Sequence, residues 1–207
     1  MTPAAGEIRQ KVLITDEQIG PQADWPAVFE NDRPVQIEIG PGRGTTLMLL
    51  AKLFEQHNFL GIEWAREFYR YAARRIAHWK IDNVRMLRTD AREFIIDRVP
   101  TASVSAIHAY FPDPWPKERH HKRRLFIDEF CRNAARVLIT GGKILVATDH
   151  EEYFGQIRKT LLAVPALREG DADVLHGVSL AGLTSNYEAK FVKAGRNVFR
   201  LAAEKVE

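Results

Sequence analysis

Val35-Gln36-Ile37-Glu38-Ile39 alternates apolar and polar side chains with the period of two expected of a strand. The turn Gly40-Pro41-Gly42-Arg43-Gly44 closes it, and a helix then runs to about Phe54, with Thr45 or Thr46 placed to cap its start. The same change of period recurs downstream. Phe59 to Glu63 predicts a second strand, and Arg66 to Trp79 a helix whose Phe68, Ala72, Ile76 and Trp79 return on one face. Val84 to Thr89 predicts a third strand ending at Asp90, followed by a helix over Arg92 to Arg98. Val104 to Tyr110 predicts a fourth, and Leu125 to Leu138 a helix with Phe126, Phe130, Ala134 and Val137 inward. Gly141-Gly142 is read as the end of that helix, and Lys143 to Thr148 as a fifth strand. Its unbroken Ile144-Leu145-Val146-Ala147 suits a parallel strand buried on both faces. His150 to Ala163 reads as helix, Leu167 to Val174 as an edge strand, and Asn197 to Ala203 as a final strand for which an antiparallel direction is open.

Strands alternating with helices predict an α/β fold: a doubly wound, mostly parallel sheet with right-handed crossovers and helices on both faces. Residues 1–34 lack a sustained period and carry Pro3, Pro21, Pro26 and Pro34. They are expected to form an N-terminal arm, packed on one domain spanning residues 35–207.

Composition changes this picture little. With 207 residues, 45 % of them hydrophobic and 28 % charged, the chain is long enough for a substantial core and too apolar for a disordered protein. The single Cys131 excludes an internal disulfide and a cysteine-rich metal site, and fits a reducing cytoplasm. No basic flank followed by an apolar run opens the chain, so no signal peptide is expected, and no segment approaches the length of a membrane helix.

Charge matters more through its placement. In open α/β sheets a ligand lies outside the carboxyl ends of the strands. Glu38, Glu63, Asp90 and Asp113 all fall at or near such ends. The Gly40-x-Gly42-x-Gly44 turn allows close backbone approach, but it lacks the G-x-G-x-x-G spacing of a dinucleotide site, which disfavours a nicotinamide dehydrogenase. Glu63 is suited to accept ribose hydroxyls and Asp90 to line an adenine pocket. An adenosine ligand without pyrophosphate, such as S-adenosylmethionine, fits these parts.

Tyr110 to Arg124, YFPDPWPKERHHKRR, carries the second constellation. Pro112, Pro114 and Pro116 restrict themselves and the residues before them, so Asp113 and Trp115 are expected on a stiff extended segment. Within it, residues 117–124 carry Lys117, Arg119, Lys122, Arg123 and Arg124 against Glu118, a balance of 5 − 1 = +4, whereas the whole chain is only +3. A charge run is usually a solvated face. Its place beside the proline arm points instead to phosphates of RNA, with Arg119, Lys122, Arg123 and Arg124 as contacts. Arg66, Arg70 and Arg74 form another basic stripe, read as solvated. Adjacent His120 and His121 do not make a metal site, and none is expected. Cys131 is read as packing.

EIGPGRG, GIE, TDA, FPDPWPKERHHKRRL, ATDHEEY and TSNYEAKF resemble the bacterial tRNA (guanine-N(7)-)-methyltransferase family from Ile37 to about Phe191. The glycine motif is shared by most class I methyltransferases, while the proline-basic motif is far more specific. The resemblance implies a Rossmann-like class I fold, S-adenosylmethionine as donor, and a guanosine of the tRNA variable loop (position 46) as acceptor. It implies cofactor contacts at Glu38, Glu63, Asp90 and Asp113 around the Gly40 and Gly42 turn, with Asp113 catalytic. Substrate contacts are implied at Lys117, Asp149, Ser185, Asn186, Tyr187 and Glu188. The family has Thr-x-Tyr-Glu in that last segment, whereas Ser185 stands at the aligned position here and Thr184 lies one place early.

Guanine N-7 carries an in-plane lone pair and no proton, so orientation should dominate its methylation. A carboxylate still helps by accepting hydrogen bonds from the guanine N–H edge as the ring becomes cationic. Two rivals remain: an amino-group nucleic-acid methyltransferase, suggested by Asp-Pro-Trp, and a non-catalytic RNA-binding protein on the same fold. The chain is expected to act on tRNA in the cytoplasm, as a monomer or homodimer, without a membrane.

Overall fold

The computed structural model describes residues 11–180, 195 and 197–206. Contacts divide the chain into two compact units, residues 1–100 and 101–207. Ser185, Asn186, Tyr187 and Glu188 lie outside the described residues.

The first unit holds strands β1 (Leu13–Ile14), β2 (Val35–Ile39), β3 (Asn58–Ile62) and β4 (Val84–Leu87). They lie in the order β1-β4-β3-β2 and every pairing is parallel. Strand β1 has no counterpart in the local pattern. Two residues carry no readable period, and Leu13 opposite Met86 and Ile14 opposite Leu87 become a strand only because β4 offers a free edge. The connections carry helices α1 (Asp16–Ile19), α2 (Trp25–Phe29), α3 (Thr45–Leu53), α4 (Arg66–His78) and α5 (Ala91–Asp97).

Two local expectations fail in this unit. Gly44, not Thr45 or Thr46, is the N-cap of α3, and no side chain caps it. Thr45 Oγ1 instead accepts a hydrogen bond from Arg75 Nη1 at 2.9 Å. In α4 the buried face is Ala72, Ala73, Ile76 and Ala77, while Trp79 is 57 % exposed with the Lys52 ammonium 4.7 Å from its ring centre. The ammonium lies over one face of an indole that the helical period had assigned to the core, and the residue stays largely exposed.

The second unit holds β5 (Val104–Tyr110), β6 (Leu138–Thr148), β7 (Leu167–Gly170) and β10 (Phe199–Lys205) in the order β5-β6-β10-β7. Strands β5 and β6 are parallel, and β10 runs antiparallel to both its neighbours. Helices α6 (Asp128–Val137) and α7 (Glu151–Leu162) connect them. The edge strand stops at Gly170. Val174 belongs instead to a separate hairpin of β8 (Val174–Leu175) and β9 (Val178–Ser179). Gly141-Gly142 does not end a helix, because α6 closes at Val137 and β6 begins at once. The glycines sit in an irregularity where the register passes from Val104 opposite Leu138 to Ala106 opposite Lys143. Gly141 supplies φ +77° there, and a Cβ on Gly142 would stand 3.0 Å from the Ser105 carbonyl oxygen, so the bulge needs both residues.

Candidate cofactor and substrate sites

In the first unit three adjacent parallel strands bring the acidic residues to their carboxyl ends: Glu38 is the last residue but one of β2, Glu63 directly follows β3, and Asp90 lies three residues past β4. Each has a different environment. Glu38 lies within β2 opposite Gly61, is 3 % exposed, and its Oε2 has no hydrogen-bond partner. Desolvation, reinforced by the nearby Glu63 charge, pushes its carboxyl up to about 8. Glu63 is held firmly: Oε2 accepts from Gly42 N at 3.0 Å and Oε1 from Ala65 N at 2.8 Å. Each of these oxygens keeps a lone pair for a further donor. Asp90 is the N-cap of α5, its Oδ1 accepting from Arg92 N at 2.8 Å and Glu93 N at 3.2 Å.

The glycine turn between β2 and α3 is tied to this carboxylate set. Gly40, Gly42 and Gly44 all have positive φ, and Gly40 N donates to the Ile62 carbonyl at 2.8 Å. Gly44 is constrained twice over: φ is +73°, and a Cβ would stand 3.0 Å from the Ala72 Cβ. Arg75, which sequence reasoning passed over, latches the outside of the turn by donating to the Arg43 carbonyl at 2.7 Å. Trp64, next to Glu63, is a second residue missed. It is 67 % exposed, with the Arg88 guanidinium 5.8 Å from its ring centre. Neither residue has a local signal, since both act through neighbours on other elements.

In the second unit the proline arm leaves β5 and leads into a 3-10 turn, Glu118–Arg123. Asp113, Lys117, Arg119, Lys122 and Arg123 are exposed on this one segment, and half-buried Asp149 follows β6. The arm is not simply extended. Phe111 and Trp115, each preceding a proline, have φ of +55° and +42°. Left-handed φ at bulky residues is strained and must be held by contacts elsewhere. Phe111 N donates to the Ala147 carbonyl at 2.7 Å, which turns the chain as it leaves the sheet. Trp115 packs on the basic turn, with the Arg123 guanidinium 5.0 Å from its ring centre and the His120 ring edge-on at 5.9 Å.

Arg124 corrects the expected phosphate set. It is fully buried and bonded to Glu152, so it presents no donor to a nucleic acid. Arg66, Arg70 and Arg74 are exposed along α4. Cys131 is buried, and desolvation pushes its thiol up to about 12. Among the described residues no cluster of His, Cys, Asp and Glu is arranged to hold a metal ion, and no helix is long and apolar enough to cross a membrane.

A family model described as "Putative methyltransferase" matches residues 32–201. A tRNA (guanine-N(7)-)-methyltransferase of Geobacter metallireducens is 34 % identical over 198 residues, 93 % of this chain and 92 % of that protein. The chain belongs to this methyltransferase family. A namesake from Mycobacterium avium is 35 % identical, covering 86 % of this chain and 69 % of its own length, and one from Aliivibrio fischeri is 35 % identical, covering 85 % and 74 %. Among solved structures, the 16S rRNA methyltransferase KamB matches with a TM-score of 0.62 at 14 % identity, over 86 % of this chain and 91 % of that one. A SAM-dependent methyltransferase from Aquifex aeolicus matches with a TM-score of 0.56 at 16 % identity, over 99 % and 100 %. These distant likenesses show the fold, the Rossmann-like class I methyltransferase architecture with its mostly parallel sheet.

Proposed function

We propose that this protein methylates N-7 of a guanosine in the tRNA variable loop, with S-adenosylmethionine as donor, in the cytoplasm. The observation that carries the cofactor assignment is Glu38. A buried carboxylate oxygen without a donor, beside a turn of three left-handed glycines, fits a ligand that brings its own cationic N–H group. S-adenosylmethionine has such an ammonium and supplies a methyl group on a cationic sulfur. Glu38 would accept from the ammonium. Glu63, already rigid through Gly42 and Ala65, would accept from the ribose hydroxyls, and Asp90 has Oδ2 left for the adenine side. Gly40 and Gly42 add no side chain to the turn at their own positions.

On the substrate side, Asp113 would accept hydrogen bonds from the guanine N–H edge, interactions that strengthen as the ring gains positive charge. Its carboxylate makes no hydrogen bond within the described residues, so these acceptors are available to the base. The family motif also assigns Asp113 to the cofactor. Lys117 and Asp149, with Ser185, Asn186, Tyr187 and Glu188, are assigned to the nucleotide. Arg119, Lys122 and Arg123 are assigned to phosphates. No general base is required, because N-7 has no proton to lose.

The test is methylation of unmodified tRNA with a labelled donor, followed by mapping of the modified base. Label at N-7 of the variable-loop guanosine is expected. Label on an exocyclic amine would favour the amino-group reading, and cofactor-independent RNA binding without transfer would favour the non-catalytic one.

A further inference from the structure

Arg124 closes the basic run, yet its surroundings set it apart. Arg119, Lys122 and Arg123 are exposed, while Arg124 is fully buried. A guanidinium stripped of water persists only when its charge is paired and its donors are used. Both conditions hold. Nε donates to the Pro114 carbonyl at 2.8 Å. Nη1 and Nη2 donate to Glu152 Oε1 and Oε2 at 2.9 and 2.6 Å, the two-pronged geometry that a lysine cannot reproduce. Nη1 also donates to Gln156 Oε1. The guanidinium lies 4.7 Å from the ring centre of Tyr153. In turn, its charge holds the Glu152 carboxyl below the usual range, chiefly through these hydrogen bonds.

These contacts join two elements. Glu152, Tyr153 and Gln156 belong to α7, whereas Pro114 is the residue directly after Asp113. Nothing bonded to the Asp113 side chain fixes its direction within the described residues, so that direction is inherited from the backbone. The backbone here is strained at Phe111 and Trp115, and strain of this kind is kept only where the surroundings over-determine it.

We infer that Arg124 is a positioning residue for methyl transfer: it clamps the Pro114–Trp115 peptide, one peptide beyond Asp113, onto α7, holds Asp113 and Trp115 in their working orientation, and makes no contact with RNA. The inference rests on the reading of Asp113 as the group that orients guanine.

The test is single-turnover methylation with saturating donor and tRNA, beside thermal melts and the salt dependence of tRNA binding. Arg124→Lys keeps the charge and loses the fork. It should lower the rate ~10–10²-fold, as displacement of a positioned group does, with the apparent constant for tRNA and its salt slope unchanged. A lost phosphate contact would instead reduce that slope by ~0.7–0.9. A reduced slope, or a parent-like rate, overturns the positioning role. If Arg124→Lys melts early, Glu152→Gln at a partly exposed position carries the test. It should lower the rate several-fold with the tRNA constant unchanged, and a parent-like rate overturns the inference.

Asp113→Asn run in parallel separates the two ideas. An impaired Asp113→Asn beside a parent-like Arg124→Lys removes only the positioning role. A parent-like Asp113→Asn removes the reading of Asp113 and the inference with it. In the double variant, a rate no lower than that of Asp113→Asn alone shows that Arg124 acts through Asp113, whereas multiplied losses overturn this.

Discussion

Glu38 offers the sharpest test of the cofactor assignment, because its burial makes both stability and binding depend on pH. Its carboxyl rises from the ordinary 4.5 to about 8, with desolvation the main cause and Glu63 second. At 1.36 kcal/mol per pKa unit, this corresponds to at most roughly 5 kcal/mol. The sign follows from where the proton is held. The folded protein keeps a proton that the unfolded chain releases, so the contribution is fully present below the unfolded value and lost as pH rises through about 8. Glu38→Gln keeps the shape and removes the titration. Its stability relative to the parent should therefore climb from near zero at about pH 4 to roughly 2–5 kcal/mol at about pH 9, the lower end allowing for relaxation around the charge. Denaturant unfolding of the cofactor-free protein across this range measures it. Binding gives the second arm. A carboxyl that titrates near 8 is mostly protonated at pH 7, and pairing with an ammonium would expel that proton. Calorimetry with S-adenosylhomocysteine, which carries the same ammonium, in buffers of different ionisation enthalpy should show close to one proton released. Glu38→Gln should release none and bind more weakly. No proton release in the parent, with equal affinity in the variant, would refute the assignment.

Glu63→Ala should weaken S-adenosylhomocysteine binding by ~1.5–3 kcal/mol, since it removes a charged acceptor and frees Gly42 N and Ala65 N; unchanged affinity in a folded variant would remove the ribose role. Asp113→Asn should lower single-turnover methylation by ~10²–10³ with little change in melting, because a preorganised electrostatic partner is lost while the prolines keep the loop. Replacing Lys122 and Arg123 together should flatten the salt dependence of tRNA binding by ~0.7–0.9 per lost contact, with cofactor affinity intact; a parent-like slope would make the turn a solvated face. Gly44→Ala forces a side chain to φ +73° and brings its Cβ to 3.0 Å from Ala72; it should cost ~1–3 kcal/mol in a melt, and a parent-like melt would mean that α4 yields readily.

The alternation of strands and helices was legible along the chain because both periods are local: two for β2, three to four for α4. The exchange of period at each glycine or acidic residue placed Glu38, Glu63, Asp90 and Asp113 near strand ends, and the prolines of the arm marked where a loop must leave β5. Chain order therefore determined the class of fold and the inventory of candidate groups. Local pattern failed where a neighbour from elsewhere decided the outcome. Leu13 and Ile14 are a strand only beside β4, Gly141-Gly142 form a bulge only against β5, and Trp79 stands exposed beside Lys52 rather than in the core.

The chemistry of the site belonged still more to tertiary structure. Three acidic residues that look alike in the sequence are, in the fold, a buried Glu38 whose carboxyl is pushed up to about 8 and whose Oε2 has no partner, a Glu63 fixed by two backbone amides, and an Asp90 that caps a helix. Five cations that look like one patch are four exposed charges and one, Arg124, buried against Glu152 and Tyr153. Residue type sets what a side chain can donate, accept or titrate. Solvation and partners set what it does, and both depend on atoms far apart in sequence, which no local pattern encodes.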